Sequence, residues 1–301
     1  MISIAILGHG VVGSGVAAVL RSNAKGIAAK AGQPITVKRI LDLRTFPELD
    51  YADRFTTRFE DVVEDADIRI VVETMGGLHP AYDYVRACLL AGKSVVTSNK
   101  ELVAAKGDEL LAIARENNLN FLFEASVGGG IPILRPIDQC LAANEVFEVA
   151  GILNGTTNFM LTRMIHDQMS FDGALALAQK LGYAERDPSA DIEGHDACRK
   201  ICILASLAFG RHVLPQEVYT EGITQITAED VQYAAACGGV IKLVGRAVRT
   251  EDDHLFCLVA PMILPQHNLL ADVDDVFNGI MVRGDNVGDV AGMGADLYES
   301  Y

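Results

Sequence analysis

No Cys-x-x-Cys pair occurs in this chain, although it holds six cysteines, at positions 88, 140, 198, 202, 237 and 257. That spacing speaks against a zinc site; Cys198 and Cys202, four apart on a helix flank, read as buried reduced thiols. No apolar run reaches the ~18 residues of a membrane span. Basic residues are scarce: 25 Lys and Arg face 40 Asp and Glu, for a formal net charge of −15. A field of that sign repels a nucleic acid backbone and an anionic membrane surface. No basic leader precedes the apolar start Met-Ile-Ser-Ile-Ala-Ile-Leu-Gly8. The start therefore reads as a first strand rather than a secretion signal. Internal repeats and low-complexity segments are also absent. The expectation is a cytoplasmic protein acting on a small molecule.

With 301 residues, of which 50% are hydrophobic and 22% charged, the chain is long enough for two domains with their own cores. Apolar, β-rich runs at 2–7, 35–41, 68–73, 94–97 and 120–124 alternate with helical patterns at 11–29, 80–91 and 101–117. Strands alternating with helices predict a doubly wound parallel sheet of Rossmann type over residues 1–135. After that the rhythm changes. Helices are expected at 156–181 and 192–209, and strands at 240–249, 255–263 and 276–283. This predicts an α+β domain over 136–301, with a mixed or antiparallel sheet covered by helices on one face. The face left over is a surface for a homodimer.

Gly8-His-Gly-Val-Val-Gly13 follows the first strand and opens the first helix. Gly8 allows the tight turn, Gly10 lets a pyrophosphate approach the backbone, and Gly13 lets helix and strand pack closely. Val11 and Val12 begin the helix whose free N–H groups would meet the phosphates. Asp42 ends the second strand, where an acid holds the ribose hydroxyls of NAD. Arg44, two residues on, is suited to the 2′-phosphate of NADP. The two signals conflict, so the cofactor is read as NAD(P). His9 lies within the turn, its side chain directed either to phosphate or to solvent.

A nicotinamide carries hydride, and the protein must supply the accompanying proton. The stretch from Gly182 to Lys200 gathers Glu185, Asp187, Asp191, Glu193 and Asp196 ahead of an apolar helix. Asp196 and Lys200 fall four apart on one helix face, so the carboxylate can orient the ammonium group. The other acids suit a substrate ammonium. Taken alone, five acids before a helix also fit a solvated loop whose first turn favours negative charge. His195 beside them reads as structural.

The stretch Gly-Tyr-Ala-Glu185, Asp-Pro, Asp191-Ile-Glu-Gly-His-Asp196-Ala-Cys-Arg-Lys200 resembles the signature of homoserine dehydrogenases. Thr97-Ser-Asn-Lys100, Glu124-Ala-Ser-Val-Gly-Gly-Gly-Ile-Pro132, Ile152-Leu-Asn-Gly-Thr-Thr-Asn158 and Phe277-Asn-Gly-Ile-Met-Val-Arg-Gly-Asp285 resemble the same family in the same order. The resemblance implies reversible reduction of L-aspartate 4-semialdehyde to L-homoserine. It implies Lys200 as acid/base, Asp196 as its orienting partner, and Lys100 as a second candidate near the nicotinamide. Glu185 and Asp191 would serve the substrate ammonium, with Tyr183, Gly155 and Thr156 around the substrate. Glu124 and the carbonyls of Val127, Gly129 and Ile131 would hold a monovalent cation such as sodium.

The family pattern continues with a glycine-rich turn and a returning helix. Here Gly292-Met-Gly-Ala295 begins that turn and the sequence stops at Tyr301. The expectation is a short form without the returning helix or a regulatory ACT domain. Two other readings stay open on the residues alone: a nucleotide-binding protein without catalysis, and a related reductase on another substrate.

Overall fold

The computed structural model describes residues 1–285 and 296–299, so the turn expected at 292–295 lies outside the described residues. The chain divides into two compact units, Met1–Ser126 and Val127–Tyr301.

The first unit runs β1 (Ile2–Leu7), α1 (Val11–Ser22), α2 (Ala24–Ala31), β2 (Ile35–Leu41), β3 (Phe55–Thr56), α3 (Glu60–Val63), β4 (Ile68–Glu73), α4 (Ala81–Leu90), β5 (Ser94–Thr97), α5 (Lys100–Glu116) and β6 (Phe121–Leu122). All neighbouring strands are parallel, in the order β3-β2-β1-β4-β5-β6. This is the expected doubly wound sheet. Ile4, Ile6, Val37 and Ile40 on β1 and β2 pack with Ala17 of α1 to form its core. Strand interiors of this kind are apolar because both faces are covered. The single helix expected over 11–29 is two, broken at Asn23. The run 120–124 gives only a two-residue strand, followed by a 3-10 turn at Glu124–Ser126.

The second unit runs β7 (Val146–Ile152), α6 (Gly155–His166), α7 (Phe171–Leu181), α8 (Ser189–Ile192), α9 (His195–Phe209), β8 (Tyr219–Thr220), α10 (Ala228–Ala236), β9 (Gly239–Arg249), β10 (Leu255–Pro265), β11 (Gly279–Gly284) and β12 (Asp296–Glu299). Its sheet order is β12-β11-β7-β9-β10-β8, antiparallel except that β8 runs parallel to β10. The mixed sheet was expected, but its strand β7 was not.

Helix α9 buries Ile201, Cys202, Leu204 and Ala205 and packs on β7, β9 and β10. Gly245 of β9 leaves the room it needs, since a Cβ there would lie 3.2 Å from the Ile201 Cβ. On the opposite face, Leu264, Leu270 and Val273 pack with Val244 and Ile152 at one end. Farther along that face, Glu148 of β7 accepts from Arg246 at 2.6 Å and Arg283 at 3.1 Å, and Phe256 of β10 is exposed. All six cysteines are free.

Candidate active site

The turn between β1 and α1 is shaped for a close backbone ligand. Gly8 sits at φ +93°, which a Cβ would strain, and a Cβ on Gly13 would lie 2.0 Å from the Gly8 carbonyl oxygen. Gly10 is the residue just before α1, and no protein atom lies within 4 Å of where its Cβ would be. Val11 and Val12 in the first helical turn are exposed. These features fit a pyrophosphate at the helix N-terminus.

Asp42, one residue beyond β2, receives four donors. Its Oδ1 accepts from the Arg44 backbone N–H at 2.9 Å and Nε at 3.0 Å, and its Oδ2 from the His9 backbone N–H at 2.7 Å and an Arg44 terminal nitrogen at 2.9 Å. The Arg44 side chain, with its backbone N–H and that of His9, holds the Asp42 carboxyl far below the usual carboxylate range. The same Arg44 nitrogen also donates to the His9 carbonyl at 3.0 Å. Asp42 and Arg44 therefore form an ion pair at 2.9 Å, with the carboxylate kept charged and the arginine held beside the turn.

His9 does not reach for phosphate or solvent. Its ring is buried in a cage of Phe46, Tyr51 and Phe55, with centroid distances of 4.9, 5.9 and 4.9 Å. Burial lowers its pKa from the ordinary histidine value.

In the second unit, Lys200 forms an ion pair with Asp196 at 2.8 Å and donates to the Leu153 carbonyl at 2.6 Å. Both side chains are largely buried, 14% and 4% exposed. Two of the three ammonium N–H groups are thus engaged among the described residues. Asn154 joins the cluster: its Nδ2 donates to Asp196 Oδ2 at 2.9 Å and to Asp191 Oδ1 at 2.7 Å. Its Oδ1 accepts from the Thr157 N–H at 2.8 Å and so caps α6.

A Cβ on Gly155 would lie 2.6 Å from the Val276 carbonyl oxygen, so only glycine brings α6 this close to that segment. Thr156 donates to the Tyr183 carbonyl at 2.8 Å, and Tyr183 meets Phe159 edge to face at 5.0 Å. The structure thus gathers Lys200, Asp196 and Asp191 around Asn154, which sequence reasoning quoted within a motif but did not assign. The available signal was an asparagine directly before the small-residue helix start Gly-Thr-Thr.

Other expected residues stand apart. Glu185 is exposed, and its backbone carbonyl accepts from the Gln179 side-chain amide at 3.1 Å. Asp187 accepts from the Ser189 N–H and hydroxyl, and Glu193 pairs with His195 at 3.2 Å on the surface. Lys100 opens α5 in the first unit, directly after its cap Asn99. Glu124 lies in the 3-10 turn that ends that unit. Val127 and Ile131 are buried, Gly129 is exposed at φ +61°, and the Gly128 carbonyl accepts the Ile131 N–H at 3.0 Å.

The profile described as Homoserine dehydrogenase matches residues 132–298, and the one described as Homoserine dehydrogenase, NAD binding domain matches residues 8–124. Homoserine dehydrogenase of Bacillus subtilis (strain 168) is 41% identical over 291 residues, covering 96% of this chain and 67% of the relative. That of Pseudomonas aeruginosa is 44% identical over 295 residues, covering 98% of this chain and 68% of the relative.

The chain belongs to the homoserine dehydrogenase family.

Solved members of the family share the architecture. A homoserine dehydrogenase from Thiobacillus denitrificans superposes with a TM-score of 0.91 at 44% identity, covering 99% of this chain and 68% of that one. A hyperthermophilic archaeal homoserine dehydrogenase in complex with NADPH superposes at 0.81 with 26% identity, covering 99% and 91%. The chain thus spans about two thirds of the length of the first relatives and nearly the whole of the archaeal one.

Proposed function

We propose that the chain catalyses the reversible reduction of L-aspartate 4-semialdehyde to L-homoserine, and that Lys200 moves the proton. The observation that carries this reading is the buried Asp196–Lys200 pair, joined through Asn154 to Asp191, in a chain whose relatives are homoserine dehydrogenases. NAD(P)H, when bound, supplies the hydride. Lys200 donates an N–H to the aldehyde oxygen and protonates it as the alkoxide develops; in reverse it takes the hydroxyl proton. Asp196 fixes the direction of that N–H through its 2.8 Å ion pair with Lys200. Asn154 holds Asp191 and Asp196 at one spacing by donating to both.

Glu185 and Asp191 supply negative charge for the substrate ammonium, and Tyr183, Gly155 and Thr156 frame the substrate. Lys100 ranks second as a proton donor. In the first unit, Gly8, Gly10, Gly13, Val11 and Val12 present the helix N-terminus to the pyrophosphate, and Asp42 with Arg44 meets the adenosine ribose. The residues present fit a dinucleotide, because the turn holds no side chain where the phosphates would approach.

Glu124 and the carbonyls of Val127, Gly129 and Ile131 are hard oxygen donors suited to a monovalent cation. Activity rising as sodium replaces a large organic cation supports that site; indifference to sodium removes it. The sheet face carrying Phe256, Glu148, Arg246 and Arg283 supports a homodimer, which a monomeric mass in solution would refute. Among the described residues no helix is long and apolar enough to cross a membrane, which suits the cytoplasmic location proposed. Oxidation of NADH or NADPH on addition of aspartate semialdehyde tests the reaction. Cofactor binding without turnover would favour a non-catalytic nucleotide-binding protein instead.

A further inference from the structure

Glu73 ends β4 with its side chain fully buried, and it forms no ion pair among the described residues. A carboxylate in that position is costly unless donors surround it. Three do. Its Oε1 accepts from the backbone N–H groups of Met75 at 2.7 Å and Gly76 at 3.3 Å, and its Oε2 accepts from the Thr97 hydroxyl at 2.5 Å. Thr97 in turn accepts from the Asn99 N–H at 2.9 Å. Asn99 donates to the Gly77 carbonyl at 2.6 Å while capping α5 through the Leu102 N–H at 3.1 Å.

The segment held in this way, 74–77, touches the dinucleotide turn directly. Glu73 is the register partner of Leu7, and β1 and β4 are the strands between which the order of the sheet reverses. In doubly wound sheets the dinucleotide lies outside the carboxyl ends of the strands at that switch point. The Thr74 hydroxyl donates to the carbonyls of Leu7 at 3.1 Å and Gly8 at 2.9 Å. A Cβ on Gly8 would lie 3.1 Å from the Met75 Cγ, so Met75 lies against the turn itself. Gly76 and Gly77 sit at φ +77° and +71°, a shape that local preference alone does not impose and that the Glu73 and Asn99 bonds hold.

We propose that Glu73 is a positioning residue for the dinucleotide, fastening the 74–77 segment into the shape that receives it without touching the cofactor. The proposal rests on the reading of the first unit as the cofactor domain. Glutamine in its place keeps the shape and loses the match. One amide oxygen cannot serve both Oε positions, and the amide nitrogen would face either the two backbone N–H groups or a Thr97 hydroxyl left without its acceptor.

The test is direct titration of NADPH, followed by its fluorescence, into wild type, Glu73→Gln, Thr97→Val and Thr97→Ser, each with a thermal midpoint. Glu73→Gln is expected to weaken NADPH binding by about tenfold, the effect of one orphaned buried polar group, while it still unfolds cooperatively. The KM for NADPH should rise in step, with the KM for aspartate semialdehyde little moved. Thr97→Ser keeps the hydroxyl and should bind like wild type, whereas Thr97→Val should bind several-fold more weakly.

A folded Glu73→Gln that binds NADPH as wild type does overturns the proposal. If Glu73→Gln does not fold, the threonine pair decides, and equal affinity for the valine and serine variants overturns it. Failure of wild type to bind either NADPH or NADH would overturn the cofactor reading itself.

Discussion

Asn154 bridges two carboxylates, donating to Asp196 at 2.9 Å and to Asp191 at 2.7 Å while its oxygen caps α6. One side chain thus couples the start of a helix to the acid that holds Lys200. Asn154→Asp keeps a capping oxygen but loses the donor and adds a third negative charge. Asn154→Ala loses the cap as well, at a cost of about 1 kcal/mol. Both should lower kcat by about a hundredfold through misplacement of the acid/base pair, with Asn154→Asp the better folded at neutral pH. Full activity in either variant would remove Asn154 from the site.

Gly10 and Gly13 should separate binding from folding. A Cβ at 13 meets the Gly8 carbonyl at 2.0 Å, whereas a Cβ at 10 meets no protein atom within 4 Å. Gly13→Ala should therefore lower the thermal midpoint by several degrees even without cofactor. Gly10→Ala should fold normally and lose NADPH affinity, because its methyl group occupies space meant for the pyrophosphate. Calorimetry and a binding titration on the two variants check this; normal binding by Gly10→Ala would place the pyrophosphate elsewhere.

Arg44 holds Asp42 and leaves part of its guanidinium exposed beside the turn. Arg44→Ala should weaken NADPH binding by about tenfold, the loss of a charge-assisted contact to the 2′-phosphate. It should also free Asp42 to accept from the ribose hydroxyls of NADH. The ratio of the two dissociation constants is the measurement, and an unchanged ratio would exclude Arg44 from cofactor choice.

Much of this was legible in the sequence because it depends on short spacings. β1, β2, β4 and β5 are apolar runs bounded by turn residues, and Asp196 and Lys200 are one helical turn apart. β7 escaped notice because Val-Phe-Glu-Val-Ala-Gly-Ile carries Glu148 in its middle; only the arginines of β9 and β11 make that charge tolerable. The single helix expected over 156–181 is two because Gln168 takes φ +55° and Ser170 caps a new start. Asn154 was hidden for a third reason. Its partners lie 37 and 42 residues away, and no local pattern records them.

His9 makes stability depend on pH in a direction set by its burial. Its folded pKa lies below the ordinary value of 6.5. As pH falls through that ordinary value, the unfolded chain takes up a proton that the folded chain does not. The stabilisation is complete above the unfolded pKa and declines below it. From about pH 7 to about pH 5 the thermal midpoint of wild type should therefore fall further than that of His9→Phe, whose ring keeps the cage filled without titrating. Parallel slopes in the two proteins would show that the cage imposes no such burden.

The central claim is that Lys200 moves the proton in a reaction whose cofactor is held by other residues. Its most direct measurement is the single-turnover rate of NADPH oxidation by aspartate semialdehyde in wild type and Lys200→Ala, with NADPH affinity titrated on the same samples. The rate is predicted to fall by roughly 10²–10⁴ while the affinity stays within about twofold. A Lys200→Ala rate close to wild type would contradict the account.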